Sequence, residues 1–296
     1  MKKLKYILII SIVILGFITV IITHNFNSKK DYIVKNNTIT GNVVIINNFY
    51  SPELKNSRTL RIYLPKGYEK SKDYYPVIYM LDGQTLFSDD TSLTCEWQVD
   101  ETIENLISEG KTRGAIVVGI DSIREVRTTE YNPFKTNPRG NQEEQLGGKC
   151  KEHSDFLVNT IMPYINNNYR TIKSKESTGI IGASFGAVAS LYTAIENSDK
   201  FGFVGVFSMA GGLTEKELNN YLKDSFTKEK FVDTTVYFYA GTNDNVYYYA
   251  ENAYKIGINN KVKNMVWDED QGEHSAYYWR YAFKRCINKF NCIFEN

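Results

Sequence analysis

Residues 178–192 read Thr178-Gly179-Ile180-Ile181-Gly182-Ala183-Ser184-Phe185-Gly186-Ala187-Val188-Ala189-Ser190-Leu191-Tyr192. An apolar β-type run ends in a Gly-x-Ser-x-Gly pattern, and a helical pattern starts directly after it. The bare pattern is cheap; its place between strand and helix gives it meaning. A strand that turns into a helix this tightly strains the serine backbone and holds the Ser184 hydroxyl clear of the chain. Gly182 and Gly186 leave room for neighbouring backbone to approach closely. The helix N-terminus beside the hydroxyl favours developing negative charge. Ser184 is the candidate nucleophile.

Working outward, apolar runs alternate with helical patterns over 41–296. Strands are predicted at 43–49, 59–64, 76–81, 115–120, 178–182, 202–208, 235–240 and 261–267. Helices are predicted at 98–109, 152–168, 185–196, 214–224, 248–258 and 275–289. A polar turn joins the first two strands, which should pair antiparallel. From the third onward the order is strand–helix–strand, which implies a mainly parallel central sheet covered by helices on both faces. In such an α/β fold ligands bind at the carboxyl ends of the strands.

A serine nucleophile needs a base, and the chain has three histidines. His24 lies at the edge of an apolar segment. His153 opens a helix and is expected to face solvent. His274, in Gln271-Gly272-Glu273-His274, sits on a polar loop between the last strand and the last helix, where it can reach over the sheet end. The acid that orients it should leave another strand. Asp244, in Gly241-Thr242-Asn243-Asp244, does so, giving the chain order Ser…acid…His. Asp268, Glu269 and Asp270 crowd the strand of the base loop, and Asp233 precedes its strand at the wrong sheet end. Those acids, or a dyad without an acid, remain the alternatives.

The N-terminus reads differently. Residues 6–23 carry no charge and follow Lys2, Lys3 and Lys5. As a helix they would span about 27 Å, close to the hydrocarbon thickness of a bilayer. The expectation is an N-terminal transmembrane helix, a signal-anchor, over 1–23, followed by a polar stalk over 24–40. The lysines would stay cytoplasmic, leaving the catalytic domain outside the cell membrane. Secretion after signal cleavage is the alternative, although no small-residue cleavage site follows the apolar run.

Composition narrows the function. With 35 Lys+Arg against 34 Asp+Glu the net charge is +1, and setting aside the three terminal lysines makes it −2. Without a basic cluster, no nucleic-acid partner is expected. Three histidines and no Cys-x-x-Cys make a multi-ligand zinc site hard to assemble, and neither a metal nor an organic cofactor is expected. Four cysteines allow three pairings. In an exported domain the expectation is Cys286–Cys292 and Cys95–Cys150, the first requiring the last helix to stop near Asn288–Asn291. The alternative is four buried free thiols.

The stretch Tyr75-Pro76-Val77-Ile78-Tyr79-Met80-Leu81-Asp82-Gly83-Gln84 with Leu86-Phe87 resembles a segment of the putative esterase family of α/β-hydrolases. That branch includes enterochelin-type esterases, feruloyl esterases and S-formylglutathione hydrolase. Glu96-Trp97-Gln98-Val99-Asp100-Glu101, Val117-Val118-Gly119-Ile120-Asp121, Arg127, Glu130-Tyr131-Asn132-Pro133 and Tyr169-Arg170-Thr171 continue the likeness in order, over roughly 45–285. The resemblance implies the α/β-hydrolase fold, with the main-chain N–H groups of Gln84 and Phe185 forming the oxyanion hole. It also implies a serine hydrolase acting on carboxylic esters through an acyl-enzyme. Many relatives carry a Glu near Gly241–Asp244, which makes the acid the least firmly placed member.

Two readings of other kinds stand beside it: an acyltransferase on the same triad, and a non-catalytic binding protein on a hydrolase scaffold. The segment 210–233 is too short and too charged to build a large apolar lid. The loops expected around Ser184 supply Trp97, Tyr131, Tyr247, Tyr248 and Tyr277, with Arg127 as an anion contact. A compact, soluble, small-molecule ester is therefore the expected substrate.

Overall fold

A computed structural model describes residues 32–34, 39–137, 145–226 and 233–294, the side chains of 32–34 and 290–294 excepted. The first long strands, β2 (Asn42–Ser51) and β3 (Asn56–Leu64), form an antiparallel hairpin whose register shifts between Ile46 and Phe49. After them come β4 (Val77–Leu81), α1 (Val99–Ser108), β5 (Ile116–Ile120) and the short α2 (Arg127–Tyr131). Next are α3 (Cys150–Asp155), a π-helical stretch Phe156–Ile161 and α4 (Met162–Asn168). The helix expected over 152–168 thus carries a π distortion. The chain continues through β6 (Thr178–Ala183), α5 (Phe185–Glu196), β7 (Phe203–Phe207), α6 (Glu215–Ser225), β8 (Thr235–Gly241), α7 (Tyr247–Asn259), β9 (Met265–Asp270) and α8 (Ala276–Phe294).

With β1 (Tyr32–Val34) at one edge, the sheet order is β1-β2-β3-β5-β4-β6-β7-β8-β9. It is a mixed sheet: β3 pairs antiparallel with β5, and every neighbour from β5 to β9 pairs parallel. The parallel strands β4 to β8 are apolar on both faces because helices cover both. Val77, Tyr79 and Leu81 enter one layer with α5 and the π-helical stretch, whereas Ile78 and Met80 enter the other with α1 and α8. This is the α/β hydrolase-like fold.

Three expectations are corrected here. The transmembrane helix read over 1–23 is withdrawn: that segment lies outside the described residues, and among the described residues no helix is long and apolar enough to cross a membrane. His24 and most of the polar stretch 24–40 also lie outside them. The last strand starts at Met265 rather than Lys261, because Lys261 adopts φ 62° in a turn closed by Val262 N–H on the Gly257 carbonyl. Finally, Cys95, Cys150 and Cys286 are free thiols. Cys95 and Cys150 belong to layers on opposite faces of the sheet. The last helix runs unbroken from Ala276 to Phe294, so residues 286 and 292 stand about 9 Å apart along one axis, beyond disulfide reach.

One ion pair fixes the hairpin to the helical layer. Arg58 Nη1 lies 3.0 Å from Glu130 Oε2, with the side chains 1% and 2% exposed, and Asn56 bonds both partners. A buried pair adds little over an apolar pair, but removing one partner strands a charge. Glu130→Ala should therefore lower unfolding stability by about 3–5 kcal/mol in urea titration. A loss below about 1 kcal/mol would mean that water already reaches Arg58.

Candidate active site

Ser184 ends β6 and caps α5 with φ 59° and ψ −125°, a conformation that costs a non-glycine residue strain. The turn holds because its surroundings are tight. A Cβ on Gly182 would stand 2.3 Å from the Gly186 carbonyl oxygen, and the Ser184 N–H donates to the Phe207 carbonyl at 2.9 Å. The hydroxyl is thereby presented at the carboxyl end of the sheet.

His274 and Asp244 arrive on loops from neighbouring strand ends. The Thr242 N–H donates to the Asp270 carbonyl at 2.7 Å and the Asn243 N–H to the Gly272 carbonyl at 3.1 Å, which ties the two loops together. His274 Nε2 lies 3.0 Å from Ser184 Oγ, and His274 Nδ1 lies 3.0 Å from Asp244 Oδ1. An ionised carboxylate only accepts hydrogen bonds, so Nδ1 carries the proton and Nε2 is left to accept from the serine. The Asp244 side chain is fully buried, while that of His274 is 31% exposed. Burial pushes the Asp244 carboxyl up. Hydrogen bonds from His274, Ser208 and the Val246 N–H outweigh it and hold the carboxyl below its ordinary range.

The oxyanion candidates flank the serine. Asp82, at φ 59°, turns the end of β4 into a short 3₁₀ turn, Gly83–Thr85, that carries Gln84. Its shape is kept by the Gln84 side chain, which donates to Ser122 Oγ at 2.9 Å and accepts from the Ser122 N–H at 3.1 Å. The main-chain N–H groups of Gln84 and Phe185 donate to nothing among the described residues. Arg127 clamps Asp82 through two bonds of 2.7 Å and lies over the Tyr131 ring at 5.1 Å. Its charge is thus neutralised by a partner carboxylate, and it supports the turn rather than standing free for an anion.

A cavity of about 450 Å³ opens over these groups, lined among others by Gln84, Leu93, Trp97, Arg124, His274 and Trp279. Trp97 is 3% exposed and packs on Trp279 at 5.4 Å, whose ring meets His274 edge-on at 5.2 Å. The structure brings Trp97 and Arg127 to this cavity but not the tyrosines. Tyr131 is fully buried, its hydroxyl accepting from the Asp82 N–H at 3.3 Å. Tyr247 bonds Glu269 at 2.6 Å on the α7 side, and Tyr248 and Tyr277 are exposed away from the cavity lining. Nor does His153 face solvent. It is fully buried, and burial together with the Arg58 charge pushes it down to about 3, so it stays neutral. Asp268 and Asp270, the rival acids, bond Tyr237, Tyr239 and Arg285.

Residues 51–288 match the model of the family described as "Putative esterase". The chain belongs to that esterase family. Membership in that family supports carboxylic ester hydrolysis as its activity. An uncharacterized protein of Bacillus subtilis, YbbA, is 25% identical over 152 residues, 51% of this chain and 56% of the relative, so the chain spans little more than half of that relative's length. A ferulic acid esterase of the fungus Anaeromyces mucronatus superposes with a TM-score of 0.65 at 24% identity, covering 90% of this chain and 97% of the other. The enterobactin esterase of Shigella flexneri does so with 0.61 at 17% identity, covering 88% and 59%. At these identities the likeness is one of fold.

Ser208 was not singled out by sequence. It follows β7 at φ 46°, accepts from Trp279 Nε1 at 2.8 Å and donates to Asp244. A serine directly past a strand beside the nucleophile strand was the available signal. Ser208→Ala removes one donor from the buried carboxylate and the acceptor from the indole, which should let the imidazole tilt. We expect kcat to drop about tenfold with KM little changed, since one hydrogen bond to a charged group is worth about 1.5–3 kcal/mol and only part is felt at the imidazole. An unchanged kcat would show that Asp244 holds its pose without the hydroxyl.

Proposed function

We propose that the esterase uses Ser184 as nucleophile, His274 as general base and then acid, and Asp244 to orient and charge-balance the imidazole. The carrying observation is the unbroken hydrogen-bond chain from Asp244 through His274 to Ser184, with His274 and the neighbouring Ala183 lining the cavity. As the Ser184 oxygen attacks the ester carbonyl carbon, its proton passes to His274 Nε2. The carbonyl oxygen becomes an oxyanion, and the Gln84 and Phe185 N–H groups are the donors that would receive it. Collapse expels the alkoxide, which takes the proton from Nε2 and leaves an acyl-serine. Water then repeats the sequence, with the same base accepting its proton and returning it to Ser184.

A fluorophosphonate probe, followed by peptide mass mapping, tests the nucleophile. Label on Ser184 alone is expected; label on another residue, or none on folded protein, would refute it.

The substrate reading is a compact ester with a flat apolar group, such as an aromatic acyl group. The cavity volume lies within the range for small ligands, and Trp97 and Trp279, tilted 44° to each other, give its lining an aromatic character beside His274. Among the described residues, the cavity's apolar lining for a longer acyl chain runs out to Leu93, which is 80% exposed to solvent. We expect kcat/KM to fall at least tenfold from butyryl to palmitoyl nitrophenyl esters. A profile that rises with chain length would contradict this substrate reading.

A further inference from the structure

On either side of Trp97 in sequence, three carboxylates converge. Glu96 precedes Trp97, and Asp100 and Glu101 lie in the first turn of α1. One oxygen from each lies within 4.8 Å of the others. Glu96 is 3% exposed and Asp100 fully buried. Glu96 Oε2, Asp100 Oδ1 and Glu101 Oε2 are buried and accept no hydrogen bond from any N–H or O–H among the described residues. The other Asp100 oxygen, Oδ2, accepts from the Thr40 N–H at 2.8 Å and the Thr40 hydroxyl at 3.3 Å.

Buried carboxylate oxygens without partners are costly, and three of them crowded together repel one another. We propose that Glu96, Asp100 and Glu101 form a calcium site that fastens the Trp97 segment and the start of α1 to the Thr40 strand end.

The donor chemistry selects the ion. All three donors are hard oxygens, which suit calcium, magnesium or manganese and not a thiolate- or imidazole-seeking metal. Calcium takes oxygen ligands at about 2.3–2.6 Å, so two ligands on one ion stand at most about 5 Å apart, which accommodates this cluster. Magnesium demands a tighter octahedron at about 2.0–2.1 Å and gives up its waters reluctantly. Three carboxylates leave several positions for water in calcium's six to eight, a hydrated site at the protein edge where Glu101 is only half-buried. Such an ion adds counter-charge to that of Arg280, which acts on Glu96. It takes no part in the hydrolysis proposed above, so the two readings fail separately.

The test uses the full-length chain, stripped with chelator and titrated with calcium chloride. At a hundredfold excess over Kd the melting temperature should rise by about 5 °C or more. The Asp100→Asn, Glu101→Gln double variant should lose that rise while still melting cooperatively. In parallel, terbium bound to the wild-type chain should luminesce on indole excitation, because Trp97 adjoins Glu96, and calcium should quench it by displacement. No calcium shift, a shift that survives in the double variant, or an equal response to magnesium chloride would overturn the site. So would stabilisation by acid alone with no terbium signal, which would mean that shared protons hold the cluster. Should the variant fail to fold, the terbium competition on the wild-type chain decides.

Discussion

Replacing Ser184 by alanine is expected to reduce kcat on an activated ester by about 10⁴–10⁶-fold, with the melting temperature within a few degrees of wild type. Removing the hydroxyl abolishes the covalent route while leaving the oxyanion donors and the cavity in place, so a small residual rate over water should persist. The fold should tolerate the change. The hydroxyl faces the imidazole and the cavity mouth rather than the core, and the strained backbone is held by the Phe207 carbonyl and the glycines around it. Alanine at φ 59° inherits the strain that serine already carries. Steady-state hydrolysis and a thermal melt on the same preparation separate the two effects. Activity within tenfold of wild type would remove Ser184 from the mechanism.

The second large effect is expected at Asp244. Asp244→Asn keeps the size of the side chain but can present an N–H where His274 Nδ1 needs an acceptor. The imidazole would then favour the tautomer with its proton on Nε2, facing Ser184, and could no longer accept the serine proton. A loss of about 10⁴ in kcat is expected, with KM little changed. The comparison that matters is with Asp268→Asn and Asp270→Asn, whose carboxylates hold Tyr237, Tyr239 and Arg285 at the same strand end. Those variants should lose stability rather than turnover. If either one loses as much kcat as Asp244→Asn, the acid has been misplaced.

The nucleophile turn was legible in sequence because everything that shapes it is local: a strand, a glycine two residues either side and a helix start. His274 was legible for a different reason, since the chain offers few histidines and only one lies past the last strand. Asp244 followed from the turn after a well-marked strand. The surroundings of Ser184, His274 and Asp244 were not legible in the same way. Tyr131 and Tyr247 look alike as loop-end aromatics, yet Tyr131 is buried beneath Arg127 and Tyr247 turns towards Glu269. Exposure of such residues depends on which helix packs over them, a non-local fact. His153 was misread because a histidine among charged neighbours suggests solvent, whereas α3 turns this side chain against Tyr131, with ring centroids 5.0 Å apart. The last strand was expected to end at residue 267, whereas β9 runs on through Asp268–Asp270. Its charges are met by tyrosine hydroxyls and Arg285 from β8 and α8, partners far from it in sequence.

The two loops that carry Asp244 and His274 share backbone hydrogen bonds, and a Cβ on Gly241 would stand 2.1 Å from the Gly272 carbonyl oxygen. Asp244 and His274 therefore belong to one clasp, whereas Ser184 rides on a separate turn, two strands from that of Asp244. For anyone exchanging segments among relatives of this chain, the clasp is the smallest portable module. Swapping 241–246 without 271–275 would mate a loop to a foreign partner at a spacing that admits no side chain. Variation that reshapes the turn at Asp244 must travel with matching change about thirty residues downstream, while the serine turn answers instead to the end of β7, where the Phe207 carbonyl and the Ala210 N–H bond the Ser184 backbone.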